Sequence, residues 1–159
     1  MQRDHAITEE PATSHERVST DLERRLRQTL ASINTQTENT SVVFAARDTM
    51  GNLVGGVCGA TSYGWLLVKI LWVGEAQRRT GIGTALLQEA EAKARQSGCH
   101  GAWLDTSNAE ARAFYLRHGY REFGALENGP GQRPAAHKRW FLRKSLQDAS
   151  GYSSSVQAG

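Results

Sequence analysis

The stretch from Trp65 to Ser97 constrains this chain more than any other. Nine residues, Trp65-Leu66-Leu67-Val68-Lys69-Ile70-Leu71-Trp72-Val73, carry a single charge. A run of that length and composition reads as a central β-strand covered on both faces. It leads through Gly74-Glu75-Ala76-Gln77 into Arg78-Arg79-Thr80-Gly81-Ile82-Gly83. From there it enters a segment, Thr84 to Ser97, whose Leu86, Leu87, Ala90 and Ala94 fall on one helical stripe before Gly98. Glycine after the last periodic residue closes a helix in the left-handed conformation. The first amide N–H groups of such a helix have no partner within it, and its dipole adds positive potential. Glycines allow a close backbone approach, and Arg78 and Arg79 add charge. The junction is therefore a phosphate or pyrophosphate cradle on an α/β scaffold.

The flanking sequence completes one such domain. Residues 1–18 show no periodicity and read as a flexible leader. Thr20 and Glu23 form a capping box ahead of Leu22, Leu26, Leu30 and Ile33, which predicts a helix over Asp21 to Asn34. Thr35 to Ser41 reads as linker. Val42 to Arg47 and Leu53 to Ala60, separated by Asp48-Thr49-Met50-Gly51-Asn52, predict a β-hairpin. Gly101 to Thr106 reads as a short strand, Asn108 to His118 as a helix stopped by Gly119, and Tyr120 to Leu126 as a strand. Glu127 to Ala136 reads as a loop and Lys138 to Leu146 as a half-exposed strand. The expected domain spans 19–146, and the Ser-, Gly- and Ala-rich tail 147–159 reads as disordered.

Charge and composition narrow the classes. Residues 39–146 hold fourteen Lys plus Arg against eight acids, a balance of +6. That favours an anionic ligand, but the basic residues are scattered rather than interleaved with aromatics, so nucleic acid is not expected. No run approaches the length of a membrane span and no apolar signal segment opens the chain, so the expected setting is cytoplasmic. Cys58 and Cys99 have no metal-type spacing; no metal is expected, and both read as buried free thiols.

Which phosphate ligand the cradle takes is narrowed by what the motif lacks. No GxxxxGK string exists for a P-loop, and Leu86 stands where a dinucleotide fingerprint needs its third glycine. The remaining Arg-x-x-Gly-x-Gly, on Arg78, Gly81 and Gly83, resembles the pyrophosphate loop of the GNAT superfamily of N-acetyltransferases. Asn108-Ala109-Glu110-Ala111-Arg112-Ala113-Phe114-Tyr115-Leu116-Arg117-His118-Gly119-Tyr120 resembles that superfamily's second signature. The resemblance covers about Val42 to Leu146. It implies a GNAT fold: an α/β domain whose mixed, mostly antiparallel sheet has two splayed central strands and flanking helices. It also implies acetyl-CoA as cosubstrate, a primary amine, small molecule rather than protein, as acceptor, and direct attack in a ternary complex. A homodimer is compatible with it.

The resemblance also implies roles. Trp72, Val73, Arg78, Arg79, Thr80, Gly81, Ile82, Gly83, Thr84 and Asn108 would contact the cofactor, with the Val73 N–H polarising the thioester carbonyl. Asn108 is also a natural helix N-cap, and His118 reads as a cation at a helix C-terminus. Tyr115 would donate a proton to the departing thiolate. Glu75, His137 and Asp105 are the candidate bases. Glu75, Glu122 and Glu127 are the acids that could favour a cationic acceptor. Two features depart from the family: no strand is visible ahead of the first helix, and Lys69 stands in the central strand where many members carry an acid. Lys69 leaves open an alternative, a GNAT-fold protein that binds acyl-CoA as a sensor or regulator without efficient catalysis.

Overall fold

The computed structural model describes residues 6–33 and 39–147 and divides the chain into two compact units, Met1–Gln36 and Thr37–Gly159. In the first unit a single 3-10 turn, Ala12–Ser14, runs into helix α1, His15–Ala31. The helix begins six residues before the expected Asp21, so the boundary drawn at 18/19 falls inside it. Thr20 does not cap: its hydroxyl donates back to the Glu16 carbonyl at 2.9 Å, as Thr does in mid-helix. Ion pairs of Asp21 with Arg24 and Arg25 and of Glu23 with Arg27 line the middle of the helix. The expected end of this helix at Asn34, part of the linker that follows it, and residues 148–159 of the expected tail lie outside the described residues.

The second unit is built on a six-stranded sheet. Its strands are β1 (Ser41–Arg47), β2 (Leu53–Ser62), β3 (Trp65–Val73), β4 (Gly101–Thr106), β5 (Arg121–Glu127) and β6 (Lys138–Ser145), in the order β1-β2-β3-β4-β6-β5. All neighbours are antiparallel except β3 and β4. Helix α2 (Ile82–Gln96) packs on β1, β2 and β3, and α3 (Ala109–Arg117) packs beside β4. The core lies between these helices and one sheet face, with Leu66, Leu87, Ala94, Ala102, Leu104 and Leu142 essentially inaccessible. The stripe Leu86, Leu87, Ala90, Ala94 faces it as expected. β2 comes so close to α2 that a Cβ on Gly55 would lie 3.1 Å from Ile82.

Two features of β3 differ from the reading of a uniformly buried strand. It pairs with β4 only at Trp65, Leu66 and Leu67, opposite Gly101, Ala102 and Trp103, and then diverges. On its other side the register with β2 slips: Cys58 faces Ile70 while Gly59 faces Val68, leaving Lys69 as the extra residue of a β-bulge. The bulge inverts the alternation. Leu66 and Val68 point into the core before it, whereas Leu71 and Val73 do so after it. Lys69, Ile70 and Trp72 are consequently exposed. Cys58, opposite Ile70, is half-buried rather than buried, and Cys99 is buried as expected.

One buried ionic cluster ties α2 to the far strands. Glu91, 2% exposed, accepts from Lys144 Nζ on β6 at 2.7 Å and from the Tyr120 hydroxyl at 3.1 Å, and Arg95 stands 3.7 Å away. Arg95 Nε in turn donates to the Leu146 carbonyl at 2.9 Å. Without Lys144 the buried Glu91 carboxylate keeps only the more distant Arg95 as a counter-charge. Lys144→Met should therefore destabilise the protein by about 3 kcal/mol in urea unfolding, and a second change, Glu91→Gln, should recover part of that loss. A single variant as stable as the parent would show that the cluster contributes nothing.

Candidate active site

The cradle forms where β3 ends. Gly74 turns the chain, its N–H held by the Val54 carbonyl at 2.8 Å, and Glu75–Gln77 make one 3-10 turn. Arg78 is extended, Arg79 has a positive φ of 64°, and Gly81 has φ 88° as the residue that opens α2. A positive φ is natural for Gly81 and strained for Arg79. No side chain caps α2, and its first bond is from the Ala85 N–H to the Gly81 carbonyl at 3.0 Å. The amides of Ile82, Gly83 and Thr84 thus precede the helical ladder, beside the exposed Arg78 and Arg79. A Cβ on Gly83 would stand 3.5 Å from Val73 and 3.7 Å from the Phe114 ring, so this turn is seated on β3 and α3 together. Thr80 ties the turn to itself through the Gln77 carbonyl at 2.6 Å.

Beyond Leu67 and Trp103 the facing edges of β3 and β4 have no ladder, which opens a cleft leading away from the cradle. Val73 closes the β3 side, its carbonyl 3.4 Å from Arg78 Nε. Trp72, 47% exposed, presents an aromatic surface on the other sheet face. On the β4 side Asn108 caps α3: its Oδ1 accepts from the N–H groups of Glu110 and Ala111 at 2.8 and 3.0 Å. Its carbonyl oxygen is therefore engaged within the helix, and only its amide NH2 is left for a ligand.

Tyr115 lies on α3, buried, with ring contacts to Phe114 and Tyr120 at 5.3 and 5.5 Å. Its hydroxyl makes no hydrogen bond among the described residues, whereas every fully buried side-chain polar atom among them has a partner. The hydroxyl therefore reaches accessible space. Burial pushes this phenol from 10.0 up to about 12. His118 ends α3 with both ring nitrogens engaged. Its Nδ1 lies 2.7 Å from the Phe114 carbonyl and its Nε2 2.9 Å from the Thr84 hydroxyl.

The candidate bases fare differently. Asp105 is taken up by Arg139 at 2.5 Å. His137 reaches the start of α3, its Nε2 3.2 Å from Ser107 Oγ. The Glu75 carboxylate is exposed and has no ion pair or hydrogen bond among the described residues. Glu122 is paired with Arg112, and Glu127 with Lys138 at 3.2 Å. Of the acids that could favour a cationic acceptor, only Glu75 is unpaired among the described residues. Two hollows, about 280 and 580 Å³, lie instead at the opposite end of the sheet, around Trp65, Trp103, Arg143 and His100. Sequence reasoning missed the bulge at Lys69, the Glu91 cluster and the Thr84–His118 bond.

A β-strand that opens from its parallel neighbour and feeds an uncapped, glycine-lined helix start defines an acyltransferase of the GNAT type. Residues 5–120 match the acetyltransferase (GNAT) family, and the chain belongs to it. It is 36% identical over 110 residues to acetyltransferase Atu2258 of Agrobacterium fabrum, covering 67% of this chain and 80% of that one. It is 40% identical over 81 residues to the blasticidin-S acetyltransferase of Streptomyces morookaense, covering 50% and 60%. A crystal structure of an acetyltransferase from Bacillus cereus superposes with a TM-score of 0.74 at 28% identity, covering 89% of this chain and 97% of that one. No helix among the described residues is long and apolar enough to cross a membrane.

The Tyr115 shift has a direct consequence. A phenol whose pKa is raised on folding keeps its proton where the unfolded chain has lost it, so stability is intact below pH 10 and falls as pH rises toward about 12. Unfolding free energies measured across that window should decline less steeply in Tyr115→Phe than in the parent. Equal slopes would show that the phenol is not shielded.

Proposed function

We propose that this acetyltransferase moves an acetyl group from acetyl-CoA to the primary amine of a small molecule, with donor and acceptor bound together. The observation that carries the reading is the uncapped start of α2: three amides ahead of the helical ladder, two arginines beside them and Gly83 seated without a side chain. Such a site suits a pyrophosphate. Acetyl-CoA brings an activated acetyl thioester. Ile82, Gly83 and Thr84 would hold its pyrophosphate through their amides, with Arg78, Arg79, Thr80 and Gly81 completing the loop. Trp72, Val73 and the Asn108 amide would flank the arm that enters the cleft. Unpaired strand edges suit a ligand with amide groups, because exposed backbone donors and acceptors otherwise stay bonded to water.

The chain's own groups then divide the work. The Val73 N–H would donate to the thioester carbonyl oxygen, and one backbone donor of this kind can lower a barrier by about 3–4 kcal/mol. The Tyr115 hydroxyl, protonated at neutral pH and without a hydrogen bond among the described residues, is the proton source for the leaving sulfur. Glu75, unpaired among the described residues at the exit of β3, receives the proton of the amine or attracts its cationic form, and His137 is the second candidate. A small-molecule acceptor is supported by the similarity to an enzyme named for blasticidin S. The reading includes a cytoplasmic setting, in which thiols such as Cys58 and Cys99 stay reduced.

Calorimetric titration with acetyl-CoA, followed by thiol release over a panel of amines, tests it. Gly83→Asp should weaken CoA binding about 100-fold or more, because like charges forced together cost several kcal/mol. Tyr115→Phe should leave CoA affinity unchanged and lower kcat about 100-fold. CoA binding with no thiol release from any amine would instead support the sensor reading. Full CoA affinity in a folded Gly83→Asp variant would remove the cradle altogether.

A further inference from the structure

Three elements converge behind the cradle, and one side chain joins them. His118 closes α3, and its ring lies 4.2 Å from that of Phe114. The same Phe114 ring faces the vacant Cβ position of Gly83. His118 Nδ1 is 2.7 Å from the Phe114 carbonyl, which can only accept, so Nδ1 carries the proton. In the neutral ring that leaves Nε2 as an acceptor, 2.9 Å from Thr84 Oγ1, whose hydroxyl donates to it. Thr84 is the third residue of α2, within the turn whose amides precede the helical ladder. This bond spans 34 residues of sequence and joins the first turn of α2 to the last turn of α3.

We infer that His118 is a positioning residue: through Thr84 it fixes the direction of the amides that receive the pyrophosphate. The inference rests on the cradle reading above and adds to it a residue that touches neither cofactor nor acceptor. The physical case is one of freedom. The first turn of a helix frays readily, having no ladder bonds of its own on the amide side. In α2 no side-chain cap restrains it, and Thr80 ties only the preceding turn. The remaining restraints are the packing of Ile82 on the core beside Gly55, that of Gly83 on Val73 and Phe114, and the Thr84–His118 bond, which alone is directional. A donor array held in one orientation binds an anion without first losing the entropy of ordering.

Two substitutions separate this role from helix capping. His118→Asn keeps a donor at the reach of Nδ1 and is a good residue at a helix C-terminus, but it cannot reach Thr84. His118→Gln keeps an acceptor at the reach of Nε2. Positioning predicts that Asn raises the CoA dissociation constant about tenfold, the value of one hydrogen bond, while Gln restores most of the affinity. It also predicts that the Asn variant raises KM for acetyl-CoA at little change in kcat, and leaves KM for S-acetyl-pantetheine, which has no pyrophosphate, where it was. Thr84→Val combined with His118→Asn should be no worse than the poorer single variant. Equal affinity of the parent and a folded Asn variant overturns the inference while leaving the cradle standing. A KM rise shared by both donors, or failure of Gln to restore binding, overturns it too, because the effect would then be general packing. No CoA binding by the parent removes cradle and inference together.

Discussion

The site depends on β3 parting from β4 after three residue pairs. Parallel strands that pair along their whole length leave no room between them, and a ligand could then approach only from the sheet faces. Here the pairing stops at Leu67 and Trp103, two residues before the bulge at Lys69. The bulge lets β3 keep its bonds to β2 while turning away from β4. It is possible because residue 59 is glycine: a Cβ there would lie 2.2 Å from the Leu67 carbonyl oxygen, an impossible contact. Lys69, whose charge in an otherwise apolar strand looked like a missing base, is the extra residue of that bulge and faces solvent.

A cleft held open needs a frame that does not collapse into it. Hydrophobic packing supplies most of that frame, but packing alone is tolerant of sliding. The Glu91 cluster is directional. It fixes α2 against Tyr120 at the end of α3 and Lys144 on β6, so the helix that carries the cradle is tied to the strands on the far side of the splay. Gly55 adds a steric constraint, because its missing side chain lets α2 sit close on β2. Burying a carboxylate in this way contributes little net stability, and its better-attested use is to define one arrangement among several.

How much of this was legible depended on the range of the interaction. The cradle was readable because strand, turn glycines and helix are contiguous, and the backbone rules for Gly81 and for an uncapped helix start are local. The strands and α3 were readable within a residue or two for the same reason. The two misreadings came from competition. Thr20 with Glu23 makes a sound capping box, yet the helix extends back to His15 and the Thr20 hydroxyl donates to the Glu16 carbonyl instead. An apolar run looks the same whether or not a bulge inverts its faces, so the exposure of Ile70 and Trp72 had no local signal. Glu91 sits beside Ala90 and Ala94 on the helix, and only the partners at 120 and 144 explain why a carboxylate is tolerated there.

Helix α3 links the two ends of the cleft in so small a domain. Its nine residues serve both ends of the cleft. At its start Asn108 caps the helix while its own N–H donates to Thr106 Oγ1 of β4, and Ser107 meets His137 from the loop before β6. In its last turn Phe114 and His118 face the start of α2, while Tyr115 turns toward Tyr120. Residues three and four apart share a helix face and adjacent residues do not. Phe114 and His118 can therefore brace the cradle while Tyr115, one position on from Phe114, presents its hydroxyl elsewhere. A shift of α3 along its axis would move the brace and the phenol together. Asn108 at one end and the Gly119 turn at the other set that axial position, which gives the short signature helix little freedom to vary in length.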